Sequence, residues 1–387
     1  MKAIVNGRVK TMAGPEYEKG TVLFENGKIC AVGAAEEITV PTDAEVIDAG
    51  GRLVMPGFVD AHSHLGLWDE IIGFRGSDGN EITDPVTPQL RAIDSIYPLD
   101  PPFKLACQGG VTTVVTGPGS ANVIGGQFAA IKTSGVSVDE MLVKFPVAMK
   151  CAFGENPKVC YNERKQTPTT RMGIAAVMRE TLLMTKDYLA RKEAAAGDPS
   201  KAPAFNMKYE AMIPVVKGEL PLKVHAHRCD DILTAIRIAK EFGLKLTLDH
   251  CTEGHLIAKQ VKESGFDALI GPSYGEKSKP ELKNKGFETA AALYEAGVKI
   301  AIITDSPVLP QEGLPMFAAM AMQAGLPREE ALKAISINAA EITGIDEFVG
   351  SLETGKDADI VIWEDDPFTL GARTNRVIIR GETVYTV

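Results

Sequence analysis

The sequence predicts an α/β protein: a (β/α)8 TIM-like barrel over residues 56–349, flanked by a small β-sandwich built from the two termini, 1–55 and 350–387. Three observations carry this expectation. Apolar strand runs alternate with helical periodicity through the middle of the chain. A short, turn-rich β vocabulary at the start returns only at the end. Histidines recur in pairs where predicted strands stop.

Taken in order, Lys2–Val5, Thr21–Phe24 and Ile29–Val32, separated by turns at Asn6-Gly7 and Asn26-Gly27, read as a small antiparallel sheet. Similar runs reappear at Ala358–Trp363, Arg376–Ile379 and Thr383–Tyr385, with a turn at Gly381. Two such clusters could not each bury a face, so they are expected to pair with one another. Between them, Leu53–Ala61, Gly110–Thr116, Phe145–Phe153, Leu222–Ala226, Leu244–Leu248, Ala268–Ile270 and Val298–Thr304 are continuous apolar runs, the pattern of strands buried on both faces. Helical segments separate several of them: about Thr169–Ala196, Cys229–Gly243, Thr252–Ser264, Glu288–Ala296, Pro315–Gly325 and Arg328–Thr343. The second of these has Asp230 as its expected N-cap and Gly243 as its stop. Strand–helix repetition implies a parallel sheet, and seven or eight strands fit a closed barrel better than an open doubly wound sheet. The charged stretch Lys192–Pro203 reads as a solvent-exposed helix end and loop. Neither a GxGxxG loop nor a Walker loop is present, which weakens a nucleotide-binding reading.

Composition narrows the function classes. With 45% hydrophobic and 24% charged residues, the chain can bury a sizeable core. Its net charge of −10 is spread without basic clusters, which argues against nucleic acid or an anionic membrane as partner. No run approaches the roughly 18 to 20 apolar residues of a membrane span, and Met1–Gly7 turns polar too early for a signal peptide. The expectation is a cytoplasmic protein acting on a small molecule, with homo-oligomerisation left open. Cys30, Cys107, Cys151, Cys160, Cys229 and Cys251 form no CxxC pair, so neither a disulfide framework nor a thiolate zinc site is indicated.

The chemistry rests on histidine. In Val59-Asp-Ala-His62-Ser-His64, two imidazoles two apart on a strand share a face and can bind one cation at its C-terminal end. Alone, the pair reads equally well as core or surface histidines. Lys223-Val-His225-Ala-His227 ends another predicted strand and Asp249-His250 the next, and a barrel gathers such strand ends around one axis. Ile302-Ile-Thr-Asp305 ends a fourth run on a carboxylate; a cation and its water would satisfy that charge, while a helix-capping role is the bland alternative. His255 falls in a helix and reads as structural.

These segments resemble the amidohydrolase superfamily, in its imidazolonepropionase-related branch. The resemblance runs from the Asn-Gly strands through Met55-Pro-Gly-Phe-Val-Asp-Ala-His-Ser-His64 to Val349-Gly-Ser-Leu-Glu-Thr-Gly-Lys-Asp-Ala-Asp-Ile-Val361. It implies a metal-dependent barrel whose termini form the sandwich. It also implies metal ligation by His62, His64, His225, His250 and Asp305, with Asp305 and His250 catalytic. Binuclear members carry a bridging group, often a carboxylated lysine. Lys150, inside the apolar run Pro146–Phe153, resembles that position, because an unpaired ammonium there is costly. Glu155 is the competing bridge and Lys132 a third candidate. His227 shares the parity of His225 and could contact substrate, and Arg228 could pair with a substrate carboxylate. Either is equally readable as a supporting residue.

The implied reaction is metal-assisted hydrolysis of a C–N bond in a cyclic amide, an imidazolone-type ring or an N-acyl or dipeptide substrate. One or two divalent cations are implied, Zn2+ first, with Fe2+ and Mn2+ suited to the same donors. The alternatives are a mononuclear deaminase of a ring amine and a non-catalytic barrel retained for binding. The loops Trp68–Pro101, Tyr161–Thr170 and Tyr274–Phe287 are long enough to wall the pocket.

Overall fold

The computed structural model describes residues 1–69 and 73–387; Glu70, Ile71 and Ile72, within the loop expected to wall the pocket, lie outside the described residues. The chain begins with β1 (Lys2–Lys10), β2 (Glu16–Glu25), β3 (Lys28–Ala34), β4 (Glu45–Asp48) and β5 (Leu53–Pro56). Eight strands follow: β6 (Phe58–Ser63), β7 (Val111–Thr116), β8 (Ile124–Lys132), β9 (Leu142–Ala152), β10 (Leu222–Ala226), β11 (Leu246–His250), β12 (Asp267–Ile270) and β13 (Ile300–Ile302). The chain ends with β14 (Ile360–Trp363), β15 (Thr374–Ile379) and β16 (Glu382–Thr386).

Strands from both termini do pair. They form one eight-stranded sheet in the order β16-β15-β14-β5-β1-β2-β3, with β4 also on β1, and the two ends of the chain join where β14 runs antiparallel to β5. Its apolar side gathers Ile4, Val22, Phe24, Ile29, Val54, Ile360 and Ile378 into one buried cluster. Each such side chain removed from water contributes about 1.5–3 kcal/mol, which neither terminus could collect alone.

The middle strands, β6 to β13, lie side by side in chain order. The first and last nearly close into a barrel: Asp305 N–H donates to His62 O at 3.2 Å and His64 N–H to Ser306 O at 2.8 Å. Five of the seven strand pairs are parallel, as the continuous apolar runs imply. The exception corrects the all-parallel expectation. Strand β8, which the sequence reading did not contain, runs antiparallel to both β7 and β9. Its Gly125-Gly126 pair, a weak strand sequence, meets a demand inside the strand. Gly126 has φ +135, and a Cβ on Gly125 would stand 3.3 Å from Lys150 Cγ on the neighbouring strand.

Two helix expectations also change. The segment Arg328–Thr343 is two helices, Arg328–Lys333 and Ile337–Thr343. Between them the carbonyls of Ala334 and Ile335 turn away to accept from Ile302 and Val59 at the barrel seam. The helix Cys229–Phe242 is preceded by Arg228 as N-cap, without a side-chain cap; Asp230 is inside the first turn, and Gly243 ends the helix at φ 71. Among the described residues no helix is long and apolar enough to cross a membrane.

Candidate metal centre

Parallel strands aim their C-terminal ends at one rim, and period-two alternation turns His62 and His64 of the β6 end to the same side. Register then sets the neighbours. Lys150 on β9 lies beside Lys223 on β10, and His225 lies beside Asp249 on β11. His62, His64, His225, His227 and His250 are all buried. Among the described residues, two groups offer one donor atom each within 4.8 Å of one another: His62, His64 and Asp305, and His225, His227 and His250. The rings of His62 and His250, 5.1 Å apart, join the two groups.

Most of these rings are oriented from behind. His62 Nδ1 donates to Asp249, His64 Nδ1 to Gly117 O at 2.6 Å and His250 Nδ1 to Gly271 O at 2.7 Å, while His227 Nδ1 bonds Thr252 Oγ1 at 2.7 Å. A nitrogen that gives its proton to a carbonyl or carboxylate fixes the tautomer, so the Nε2 atoms of His62, His64 and His250 carry lone pairs. His62 Nε2 and His64 Nε2 both face Asp305 Oδ1, at 3.4 and 3.1 Å. Three acceptors cannot satisfy one another, and a cation can. Among the described residues, His250 Nε2 and Asp305 Oδ1 are in fact buried with no hydrogen-bond partner, a costly condition that metal ligation would relieve. The donor set therefore fits a divalent metal.

Electrostatics point the same way. Burial first, then the ammoniums of Lys150 and Lys223, hold the His62 imidazole well below its ordinary range. Burial also depresses His225 and His227, and lowers His250 to about 4. The rings are neutral near pH 7, the form that ligates. Both His250 and Asp305 have left-handed backbones, φ 72 and 56, a strain of about 1–3 kcal/mol each that collects at functional sites.

The bridge candidates separate. Lys150 is fully buried, with Nζ 3.2 Å from His62 Nε2, and burial lowers its pKa to about 8. Lys132 lies elsewhere, its ammonium 2.8 Å from Asp357 and 2.6 Å from Asp359 at the seam with the terminal sheet. Glu155 opens the helix Glu155–Glu163, and its backbone N–H donates to Glu281 Oε2 at 2.9 Å. Arg228 is not brought into either group: both faces of its half-exposed guanidinium bond Asp230, at 2.9 and 2.7 Å. His255, expected to be structural, pairs with Thr289.

Sequence reasoning assigned no role to Asp249, Lys223, Asp60 or Glu281. Buried Asp249 accepts from His62, from Thr247 and from Lys223 Nζ at 3.0 Å. The signal that singled out Lys150, a charge inside an apolar strand run, applies equally to Asp60, Lys223 and Asp249. Glu281, 3.7 Å from His227 Nε2 and 4.0 Å from His225 Nε2, arrives on a loop and leaves no periodic trace.

Strand-end imidazoles and one carboxylate at the mouth of a nearly closed barrel define a class of metal-dependent barrel hydrolases. Amidohydrolase family models match residues 212–384 and 45–84. The crystal structure of an amidohydrolase from Thermotoga maritima MSB8 is 44% identical, with a TM-score of 0.96 over 100% of both chains. Amidohydrolase tasK of Hapsidospora irregularis is 29% identical over 95% of this chain, which spans 40% of that relative's length. An imidazolonepropionase of Symbiobacterium thermophilum is 27% identical over 89% of this chain and 83% of its own. The chain belongs to the amidohydrolase superfamily, whose members are hydrolases that bind divalent metals.

Proposed function

We propose that this protein hydrolyses a C–N bond in a cyclic amide, imidazolone-type ring or N-acyl or dipeptide substrate. The observation that carries the reading is the convergence of His62, His64 and Asp305 beside His225 and His250 at the C-terminal mouth of the barrel, with His250 Nε2 and Asp305 Oδ1 buried and unpartnered among the described residues. In this proposal His62, His64 and Asp305 would hold one cation and His225 and His250 a second, and Lys150, as its carbamate, would be the further ligand between the two groups. Zn2+ is the proposed metal, and Fe2+ or Mn2+ would suit the same donors. When bound, the metal supplies Lewis acidity and makes water acidic enough to attack at neutral pH.

The chain's own residues do the rest. Asp305, anchored by its backbone to His62, accepts the proton of the attacking water and returns it to the departing nitrogen. His250, whose Nε2 lone pair is buried without a hydrogen-bond partner, stands beside that path as a ligand for the second cation. A buried Lys150 whose pKa is brought down toward neutrality supplies the uncharged amine that carbamate formation consumes. The same proposal divides the chain into a terminal β-sandwich domain, 1–55 with 350–387, and a catalytic barrel, 56–349. The imidazolonepropionase relative supports the imidazolone arm of the substrate range.

The test pairs metal analysis with a hydrolysis screen over cyclic amides, imidazolones and N-acyl or dipeptide amides. Two bound equivalents and turnover in one group support the reading. One equivalent with release of ammonia from a ring amine points to the deaminase instead. Metal-free protein that is inert even when metals are supplied would sink the hydrolase assignment.

A further inference from the structure

We infer that His227 is a metal ligand, so that the second cation is held by three imidazoles, His225, His227 and His250. The inference rests on the metal-dependent reading above and replaces the substrate contact that the sequence suggested for His227.

Accessibility argues first. The His227 side chain is 5% exposed, less open than the 13% of Asp305, which must meet the reacting groups. A ring so enclosed is badly placed to meet a substrate and well placed to meet an ion beneath it. Orientation argues second. Thr252 Oγ1 stands 2.7 Å from His227 Nδ1 and so orients the ring from behind, a hydroxyl in the place that a carbonyl or carboxylate takes for His62, His64 and His250. This leaves Nε2 to face the group. Convergence argues third. The ring of His227 is 4.6 Å from His225 and 4.8 Å from His250, and the donor atoms of all three lie within 4.8 Å of one another. Strand parity makes this arrangement natural, since residues two apart at the β10 end share a face just as His62 and His64 do on β6.

Glu281 could be offered as the reason for His227 instead, by accepting a hydrogen bond from Nε2. At 3.7 Å the pair is too long for one, and Glu281 Oε1 lies 2.7 Å from Lys279 Nζ. His227 Nε2 is therefore left for an ion. Three neutral imidazoles are the donor set of one type of catalytic Zn2+ site, and they leave a further position for the Lys150 carbamate proposed above.

The experiment strips the full chain with a chelator and titrates Zn2+ or Co2+ against a chromophoric competitor, with bound metal counted by mass spectrometry. The parent should bind two equivalents. His227→Asn should keep the tighter ion within about threefold and weaken the other at least a hundredfold. Thr252→Val, which leaves His227 in place but unoriented, should weaken the same ion by about ten- to a hundredfold. That milder variant carries the test should His227→Asn fail to fold. Co2+ absorption in the visible should change for the second equivalent alone. Two ions at parental affinity in both variants, or a parent that binds only one, would overturn the inference while leaving a metal-dependent hydrolase intact. A parent that binds none fails the underlying reading instead.

Discussion

Acid should unfold the metal-free protein well before it titrates its ordinary carboxylates. The perturbation is a drop from pH 7 to pH 5 after chelation. Four buried imidazoles, His62, His225, His227 and His250, have folded pKa values depressed below 6.5, that of His250 to about 4. In that interval the unfolded chain binds protons that the folded chain refuses, so stability falls as pH falls. Taking about 6.5 for the unfolded imidazole, each ring costs about 2 kcal/mol over these two pH units. The opposing term is Asp60, raised to about 6 by burial, which binds its proton in the folded state first and returns about 1 kcal/mol. Asp231, also raised to about 6 by burial, acts in the same sense. The imidazoles outnumber them, and a net loss of about 5 kcal/mol is a large share of a typical stability of about 5–15 kcal/mol. The assay is the urea midpoint, followed by circular dichroism at pH 7, 6 and 5. A midpoint unchanged or rising toward pH 5 would refute the neutral-imidazole account. His225→Gln should remove about a quarter of the imidazole contribution.

Asp305→Asn should lower kcat by several orders of magnitude with folding retained, because the amide is nearly isosteric but cannot take a proton; kinetics within about tenfold of the parent would end the general-base role. His64→Ala should lose one ion and lower the Tm of the metal-loaded protein, since a cation that binds only the folded state stabilises it by mass action; an unchanged metal count by mass spectrometry would remove His64 from the ligand set. Lys150→Ala should bind at least one ion fewer and recover activity in part with short carboxylic acids, and the parent should need dissolved CO2 during metal loading. If Glu155 bridges instead, Lys150→Ala keeps its metals and Glu155→Ala loses one.

Legibility in the sequence followed from how each feature is encoded. The imidazole pairs were readable because strand geometry has a period of two, so His-x-His on an apolar run has one structural consequence. The barrel was readable because strands buried on both faces are written as uninterrupted Val, Ile and Leu. Strand β8 was hidden because its glycines answer a tertiary demand, space beside Lys150 and a positive φ at Gly126, which looks like turn chemistry in one dimension. The break in Arg328–Thr343 was hidden for a similar reason: the helix yields Ala334 and Ile335 carbonyls to strands far away in sequence. Glu281 approaches the candidate metal centre from the connection between β12 and the helix Glu288–Glu295, and the path of such a connection is set by what it packs on rather than by periodicity.

Asp60 shows why the candidate centre sits where it does. The barrel sheet is an open path whose ends are β6 and β13, so the ladder that orders every other strand pair is interrupted there. Side chains lace the gap instead. Asp60 Oδ1 accepts from His62 N–H at 3.1 Å, and Oδ2 accepts from Thr304 N–H at 3.1 Å, from Thr304 Oγ1 at 2.6 Å and from Gln311 Nε2 at 2.5 Å. Gln311 in turn accepts from Ser63 Oγ at 2.8 Å, between the two histidines. Hydrogen bonds to a charged group are worth about 1.5–3 kcal/mol each, enough together to hold Asp305 in its left-handed backbone, whose cost is about 1–3 kcal/mol. Asp305 lies beyond the end of β13, and its left-handed backbone is held by these bonds to the flanking Thr304 and His62. Asp60 therefore ties the β6 end to the segment after β13, and so holds Asp305 against His62 and His64 where the two strands do not pair.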